Sequence, residues 1–168
     1  MIVGVDLGTR CGIAILDAFT GEIVSSHTTK AKSTLASRLM SLRGNLYIAV
    51  ADYQVEGICI EEPFGAHKAA LRVLYSMMGV AIYCAEVWGI TWSLAHLATL
   101  KKFATGKGNA DKPAMRVAAE QRWGTLGDDV DDNQVDAMWA AEWYRVNVMP
   151  DTNVLHTSHI HSHPDAAT

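Results

Sequence analysis

Acidic side chains stand where the apolar segments of this chain end, and together they could form a site for chemistry. Asp6 follows the first apolar run, and Glu61 and Glu62 follow a later run, GICI. Asp132 and Asp136 lie four residues apart in the last predicted helix, so one face of that helix carries both. If the strands that end in Asp6 and Glu61 are neighbours and the helix packs across them, the acids converge. Like charges so close cannot all ionise unless cations lie between them.

Carboxylate oxygens without histidine or cysteine are the ligands that Mg²⁺ and Mn²⁺ prefer. Two such ions roughly 4 Å apart clamp the attacking and leaving oxygens of an in-line displacement at phosphorus. The acids therefore predict a site that holds two Mg²⁺ ions, for which Mn²⁺ can substitute, and that acts at phosphorus.

Each acid also has a plainer structural interpretation. Asp131 and Asp132 can cap the last helix and complement its dipole, and for Asp131 this interpretation is favoured. Asp136 lies a turn inside the helix among apolar residues, where an aspartate is costly unless it is paired or metal-bound. Glu61 and Glu62 are adjacent and point to opposite faces of their strand, so one of them is a ligand, and strand parity leaves the choice open.

The elements that position these acids follow from hydrophobic patterning. Strands are predicted over residues 2–5, 11–16, 21–28, 55–60 and 90–94. Helices are predicted over residues 33–50, 66–88, 97–104, 113–123 and 132–147. The first three strands are joined by tight turns, which predicts an antiparallel meander within a five-stranded mixed α/β sheet flanked by helices. The 66–88 helix is apolar nearly all round, which indicates a subunit interface.

Length and composition limit the classes of protein to consider. The 168 residues predict one domain over 1–148, followed by a disordered polar tail over 149–168. The tail histidines can bind metal loosely; they are His156, His159, His161 and His163. Three scattered cysteines, no signal peptide and no apolar run long enough to span a bilayer predict a cytoplasmic protein that does not bind membranes.

The net charge of −4 argues against bulk attraction to DNA, but one segment of the chain is locally basic. Five basic residues lie within sixteen positions and are candidates for contacts with DNA phosphates. They are Lys101, Lys102, Lys107, Lys112 and Arg116. Lysines on a loop and a helix are commonly just solvated, and that alternative stays open.

Three segments resemble the RuvC family of Holliday-junction resolvases, which has an RNase H-like fold. The first, VGVDLGTRCGIAI, carries Asp6 at the position of the family's aspartate. The second, CIEEPF, is similar to the family's Ile-Glu-Gln-x-Phe, which favours Glu61 over Glu62 and matches Phe64. The third is KKFATGKGNADKPAM followed by DDNQVDAM, in which Asp136 directly precedes alanine as in the family's last helix.

The chain departs from this family three residues before Asp136. The family carries aspartate or histidine there, and this chain has Asn133. Asp132, one residue earlier, is the candidate for the missing ligand.

The resemblance implies a crossover junction endodeoxyribonuclease that acts on branched DNA. It would resolve four-way junctions by paired symmetric nicks as a homodimer, using two Mg²⁺ ions. The implied catalytic residues and metal ligands are Asp6, Glu61, Asp132 and Asp136. Phe64 would stack on an exposed base or open a base step at the junction centre, unless it folds back onto the sheet. Bacterial and phage-type members both remain open.

Other functional classes share parts of this pattern. One is an RNase H-like nuclease acting on structured RNA, as in ribosomal RNA processing, or on other branched DNA. Another is the actin, sugar-kinase and chaperone ATPase superfamily, since GVDLGT is similar to its first phosphate loop. Those ATPases need a second such half and a glycine-rich adenosine motif, which these 168 residues do not contain. A third is a non-catalytic DNA-binding module in which the acids are helix caps.

Overall fold

The protein is described by a computed structural model that covers residues 1–30, 34–65 and 67–149. Within these residues the strands are β1 (Ile2–Asp6), β2 (Arg10–Leu16), β3 (Ile23–Lys30), β4 (Gly57–Glu62) and β5 (Thr91–His96). The helices are α1 (Leu35–Asp52), α2 (Lys68–Trp88), α3 (Leu97–Thr105), α4 (Lys112–Trp123) and α5 (Asp132–Asn147). The predicted histidine-containing tail lies outside the described residues except for Met149, which packs against the core.

The five strands form one sheet in the order β3-β2-β1-β4-β5. β1, β2 and β3 are antiparallel neighbours, whereas β4 runs parallel to both β1 and β5. The predicted mixed sheet, the antiparallel meander and the adjacency of the first and fourth strands are therefore confirmed. β4 and β5 continue to Glu62 and His96, beyond the predicted ends, so both glutamates lie within the strand.

The two faces of the sheet carry different helices because strand side chains alternate. Val3, Val5 and Ile60 point to the face that α1 and α2 cover. Ile2 and Cys59 point to the opposite face, where α5 provides most of the packing. The position of each strand-end residue in this alternation therefore decides which helices its side chain faces.

Glycines bring α5 unusually close to the sheet. A Cβ atom at Gly4 would overlap the backbone carbonyl of Ala137, and one at Gly12 would overlap that of Asn133. The α5 backbone thus lies directly on β1 and β2, and no bulkier residue fits at either glycine without moving the helix.

The outer face of α2 is largely uncovered in the single chain. Its exposed side chains include Tyr75, Tyr83 and Val87. By length and composition this 21-residue helix could cross a membrane, and it is longer than the apolar run anticipated from the sequence. A single helix of this kind is weak evidence for a membrane span, because core helices of soluble proteins meet the same test.

Candidate active site at the ends of β1 and β4

Asp6 and Glu61 are brought side by side by the parallel pairing of β1 and β4. Val5 pairs with Ile60, so the next residue of each strand lies on the same rung at the carboxyl edge of the sheet. Asp6 alternates with Gly4 and Glu61 with Cys59, so both carboxyls point to the face that α5 covers.

Glu62 points to the opposite face and has a partner of its own. It shares parity with Ile60, which packs under α1 and α2. Its Oε2 lies 3.1 Å from Nε2 of His96 on β5. The burial of the two sheet faces thus distinguishes the two glutamates, which strand parity alone left open, and it favours Glu61 for the site.

Asp136 reaches the same edge from α5. Asp131 caps this helix and completes a capping box with Gln134, as the favoured interpretation of Asp131 expected. Asp136 lies one turn into the helix, where the backbone passes over Gly12, the residue that pairs with Asp6. Asp6, Glu61 and Asp136 are close enough to perturb one another's ionisation.

The three carboxyls resist ionisation because they are largely enclosed and repel one another. Partial burial and the charge of Asp136 raise the pKa of Asp6 to about 7, although Lys112 opposes the shift. Partial burial and the charges of Asp6 and Asp136 raise the pKa of Glu61 to about 8, against the charge of Lys101. Partial burial raises the pKa of Asp136 to about 6, while Lys112 and Lys101 oppose the shift.

The cluster has the donor chemistry of a divalent-metal site. Oε2 of Glu61 is a buried oxygen without a hydrogen-bond partner among the described residues, and such an atom is costly unless a ligand binds it. Asp6, Glu61 and Asp136 offer only oxygen ligands, which suit Mg²⁺ or Mn²⁺. Among the described residues, no three histidine, cysteine, aspartate or glutamate side chains are placed so that they could hold a metal ion as they stand.

Lys112 supplies part of the missing positive charge. Its Nζ donates a hydrogen bond of 2.9 Å to Oδ2 of Asp132. That hydrogen bond is the main cause that raises the pKa of Lys112, and the charges of Asp136 and Asp6 add to it. Asp132 is therefore tied to the site through Lys112, and its charge also helps to raise the pKa of Asp136.

Comparison with known proteins relates this architecture to a family. No protein-family model matches the chain. The crossover junction endodeoxyribonuclease RuvC of Thermobifida fusca is 30% identical over 118 residues, which cover 66% of this chain and 65% of that protein. The Salinispora arenicola enzyme of the same name is 28% identical over 121 residues, or 68% of this chain and 69% of that protein. The chain resembles the RuvC family, and it spans just under two thirds of the length of the Thermobifida fusca protein.

Solved structures of RuvC proteins share the fold. Thermus thermophilus RuvC superposes with a TM-score of 0.72 at 15% identity, covering 85% of this chain and 93% of that one. The same protein in complex with Holliday junction substrate gives a TM-score of 0.73 at 14% identity, with coverage of 85% and 92%. The RNase H-like fold expected from the sequence is therefore confirmed.

The five basic residues predicted from the sequence as phosphate contacts have different surroundings in the structure. Lys101 and Lys112 lie near the carboxyls, where their charges act on Glu61 and Asp6. Lys107 is exposed in the loop between α3 and α4. Two of the five basic residues therefore act electrostatically on the carboxyl cluster.

Two members of that segment lie in other surroundings. Arg116 donates to the backbone carbonyls of Val130, Leu126 and Gly127 and pairs with Glu120, so it holds the loop before α5. Lys102 lines a groove with Trp143 and Asn147. That groove lies toward the carboxyl end of α5, away from Asp136. Arg116 is therefore engaged within the protein, and its contact with DNA phosphate stays a prediction.

Phe64 does not fold back onto the sheet. Its side chain is 78% exposed, whereas the preceding Pro63 is buried and anchors the segment. Gly65 has a positive φ of 73°, a conformation that favours glycine and turns the chain just after the ring. The phenyl ring therefore projects from the edge of the sheet that carries Glu61.

Sequence reasoning missed the contacts that join Asp131 to the strands. Asp131 accepts hydrogen bonds from Arg10 on β2 and Thr28 on β3. Burial alone would raise the pKa of Asp131, but hydrogen bonds from Thr28, the Gln134 amide and Arg10 hold it below its usual value. The helix cap was predicted from the sequence, whereas nothing in the pattern indicated the partners of Asp131 on β2 and β3.

Proposed function

We propose that this chain is a Mg²⁺-dependent endonuclease that resolves four-way DNA junctions by paired, symmetric hydrolysis of phosphodiesters. The observation that carries the proposal is the cluster of Asp6, Glu61 and Asp136. Their pKa values are all raised, and Oε2 of Glu61 is buried without a hydrogen-bond partner in the part of the chain that the structure describes. A protein that leaves three carboxyls in this state gains from binding cations there. The names of the curated relatives support branched DNA as the substrate.

Some residues of the chain would bind the metal ions, and others would bind the substrate. Asp6, Glu61 and Asp136 would hold the metal ions, with Asp132 as the further ligand. When bound, Mg²⁺ supplies Lewis-acid catalysis at phosphorus, and Mn²⁺ can replace it. Lys101 lies beside the carboxyls and would bind the scissile phosphate.

Lys112 would contribute in the same way once metal replaces it as the partner of Asp132. Lys107, exposed on its loop, would contact phosphates farther along the DNA backbone, and such contacts position the substrate without reading its sequence. Three buried thiols are compatible with action in a reducing cytoplasm.

Asp132 and Asn133 are alternative suppliers of the fourth ligand. Asp132 is half-exposed, pairs with Lys112 and acts through its charge on Asp136, which supports its carboxylate as the fourth ligand. We expect Asp132→Asn to lose most of the cleavage activity and Asn133→Ala to lose little, measured as single-turnover rates at saturating Mg²⁺. The reverse result would assign the ligand role to Asn133.

A homodimer would match the near two-fold symmetry of a four-way junction, because paired nicks need paired active sites. The exposed face of α2 is the proposed interface. Gly79 lies at the middle of this face with open space around it, although glycine inside a helix costs about 1 kcal/mol relative to alanine. Tyr75 and Tyr83 flank it. Sedimentation at micromolar concentration should show a dimer, and a monomer with and without junction DNA would contradict this.

Substrate competition tests the central proposal. Wild-type protein with Mg²⁺ should nick a four-way junction symmetrically and leave linear duplex DNA and structured RNA intact. Asp6→Asn should abolish nicking while retaining junction binding, because it removes a metal ligand and leaves the basic residues in place. Preferential cleavage of structured RNA would instead support the RNA-processing alternative, and retained nicking by Asp6→Asn would reject the assigned site.

A further inference from the structure

Asp131 joins the start of α5 to two strands of the sheet. Its Oδ1 accepts a hydrogen bond of 2.6 Å from Oγ1 of Thr28 on β3, and its Oδ2 accepts one of 2.6 Å from Nη2 of Arg10 on β2. The same Oδ1 accepts from the backbone amides of Asn133 and Gln134, both at 3.1 Å. One carboxylate therefore holds both the first turn of the helix and the strands beneath it.

Gln134 strengthens the same connection from the helix side. Its Oε1 accepts from the backbone amide of Asp131 at 2.9 Å, and its Nε2 donates to Oγ of Ser26 on β3 at 3.1 Å. Gln134 is buried, so its side chain has little freedom to leave this arrangement. The first turn of α5 is thus fixed to β3 at two points and to β2 at one.

This attachment determines where Asp136 stands relative to Asp6. Asp6 belongs to β1, and its position follows from the sheet alone. Asp136 belongs to α5, and its position depends on how the first turn of the helix sits on Gly12. A rotation or lift of that turn would move Asp136 away from Asp6 while leaving both residues chemically intact.

We propose that Asp131 is a positioning residue that holds α5 against β2 and β3, so that Asp136 and Asp132 meet Asp6 and Glu61 in one metal-binding geometry. This inference rests on the proposed function for the identity of the bound ion. Asp131 would not itself bind the ion, because both of its oxygens are already engaged by Thr28 and Arg10.

The alternative is that Asp131 is only a helix cap, and another N-cap in the chain provides the matched control. Oγ1 of Thr34 accepts from the backbone amide of Ser37 at 3.2 Å and caps α1, on the opposite side of the sheet. Thr34→Ala removes a cap without touching the carboxyl cluster. Asp131→Ala removes a cap together with the contacts to Arg10 and Thr28.

Metal binding separates the two interpretations. We expect Asp131→Ala to bind Mn²⁺ about 10–100-fold more weakly in calorimetric titrations, since that is the usual cost of losing an outer contact to a metal site. Thr34→Ala should bind Mn²⁺ like the wild type, even if both variants melt at similarly reduced temperatures. In cleavage assays Asp131→Ala should need correspondingly more Mg²⁺ for half-maximal rate, and excess Mg²⁺ should restore much of the activity.

Milder variants test which contact matters and guard against a folding defect. Asp131→Asn keeps an oxygen for the two helix amides and Thr28 but loses the charge that Arg10 binds, so it should fall between wild type and Asp131→Ala. Thr28→Val removes only the hydroxyl donor on β3 and should weaken Mn²⁺ binding several-fold. Equal Mn²⁺ affinity for wild type and all three variants would overturn the positioning role and leave Asp131 a cap.

Hydrogen exchange keeps this test independent of the proposed function. If the wild type binds no Mn²⁺ at all, the proposed metal site fails, whereas the attachment of α5 can still be measured. Asp131→Ala should then speed exchange of the α5 amides around Asp136 by at least tenfold more than those of β4, and Thr34→Ala should leave α5 unchanged. If Asp131→Ala changes the exchange rates of α5 and β4 by the same factor relative to wild type, the inference is rejected.

Discussion

The two ends of α5 each carry an acidic residue that faces the protein interior, and their surroundings shift the two pKa values in opposite directions. Glu142, near the carboxyl end, accepts from Nε of Arg122 at 3.0 Å and from Nε of Arg145 at 2.7 Å. Despite burial, these hydrogen bonds and charges hold the pKa of Glu142 below its usual value. Asp136, near the amino end, faces other acids, and its pKa is raised to about 6.

This difference separates an acid that is satisfied within the chain from one that we propose to be functional. The arginines beside Glu142 satisfy its charge within the chain, and Arg122 together with Trp123 also binds the turn at Gly21. The charge of Asp136 is left for something outside the chain to satisfy, since Lys101 and Lys112 only partly offset it. Burial of an acid is thus informative only together with what surrounds it.

Neutralising Asp136 should have the largest effect on activity and the opposite effect on stability. Asp136→Asn should reduce junction cleavage by about a thousandfold or more, since losing a metal ligand removes several kcal/mol of transition-state stabilisation. In metal-free buffer at pH 8 the same variant should have a higher free energy of unfolding, because it relieves repulsion with Asp6 and Glu61. Single-turnover cleavage and urea denaturation measure the two effects, and a variant that is both active and less stable would contradict the contrast.

Neutralising Glu142 should lower the stability of the protein and leave its cleavage activity nearly unchanged. Glu142→Gln leaves two guanidinium groups without their shared carboxylate and should cost about 3 kcal/mol, at the low end for a broken buried pair because Arg122 and Arg145 remain 29% and 22% exposed. The cleavage rate of the folded protein at low temperature should stay within about threefold of wild type, which is less than 1 kcal/mol. Glu120→Gln, which breaks only the i,i+4 pair with Arg116, is the control and should cost less than about 1 kcal/mol in urea denaturation.

Stability should depend on pH with opposite signs for the carboxyl cluster and for Glu142. Asp6 and Glu61 have folded-state pKa values of about 7 and 8, raised from 3.8 and 4.5, so the folded state holds more protons between those limits. Their contribution is full at low pH and is lost as pH rises through the raised values. Glu142, with a lowered pKa, contributes stability that is lost only as pH falls below its usual value of 4.5.

In chelator-containing buffer the melting temperature should therefore fall by roughly 10 °C between pH 6 and pH 8.5, corresponding to about 4 kcal/mol from the two raised pKa values. Added Mg²⁺ should cancel or reverse this slope, because the ions favour the ionised carboxylates. Asp6→Asn should flatten the slope without metal. A melting temperature that is independent of pH in chelator, or that rises, would mean that the carboxyls are already satisfied.

Several parts of the site could be predicted from the sequence because they depend on local pattern. Asp6 ends an apolar strand, and Asp136 interrupts an apolar helix, so both were visible as costly positions. Other parts depend on contacts between distant segments and left no local signal. Arg116 looks like a free cation in the sequence, yet its guanidinium is used by the carbonyls of the loop before α5. The roles of Gly4 and Gly12 likewise follow only from the path of α5 across the sheet.

Two exposed phenylalanines allow a similar comparison between opposite edges of the sheet. Phe64 is 78% exposed at the edge of the sheet that carries Glu61. Phe19 is 82% exposed in the turn after β2, at the edge where Leu16 pairs with Ile2. Neither ring contributes much to the core, so neither Phe→Ala change should alter the free energy of unfolding by more than about 0.5 kcal/mol.

Only Phe64 should matter for the substrate. Its ring projects beside the proposed metal ligands, where the centre of a bound junction offers strained or unpaired bases. Stacking of an aromatic ring on a base contributes about 1–3 kcal/mol, so Phe64→Ala should slow cleavage of an intact junction by roughly 5–150-fold. Phe19→Ala should cleave at the wild-type rate. A junction opened by mismatches at its centre should recover much of the loss in Phe64→Ala, because the ring is then no longer needed to separate the bases. If mismatches rescue nothing, or if Phe19→Ala slows cleavage equally, the ring of Phe64 does not act on the junction centre.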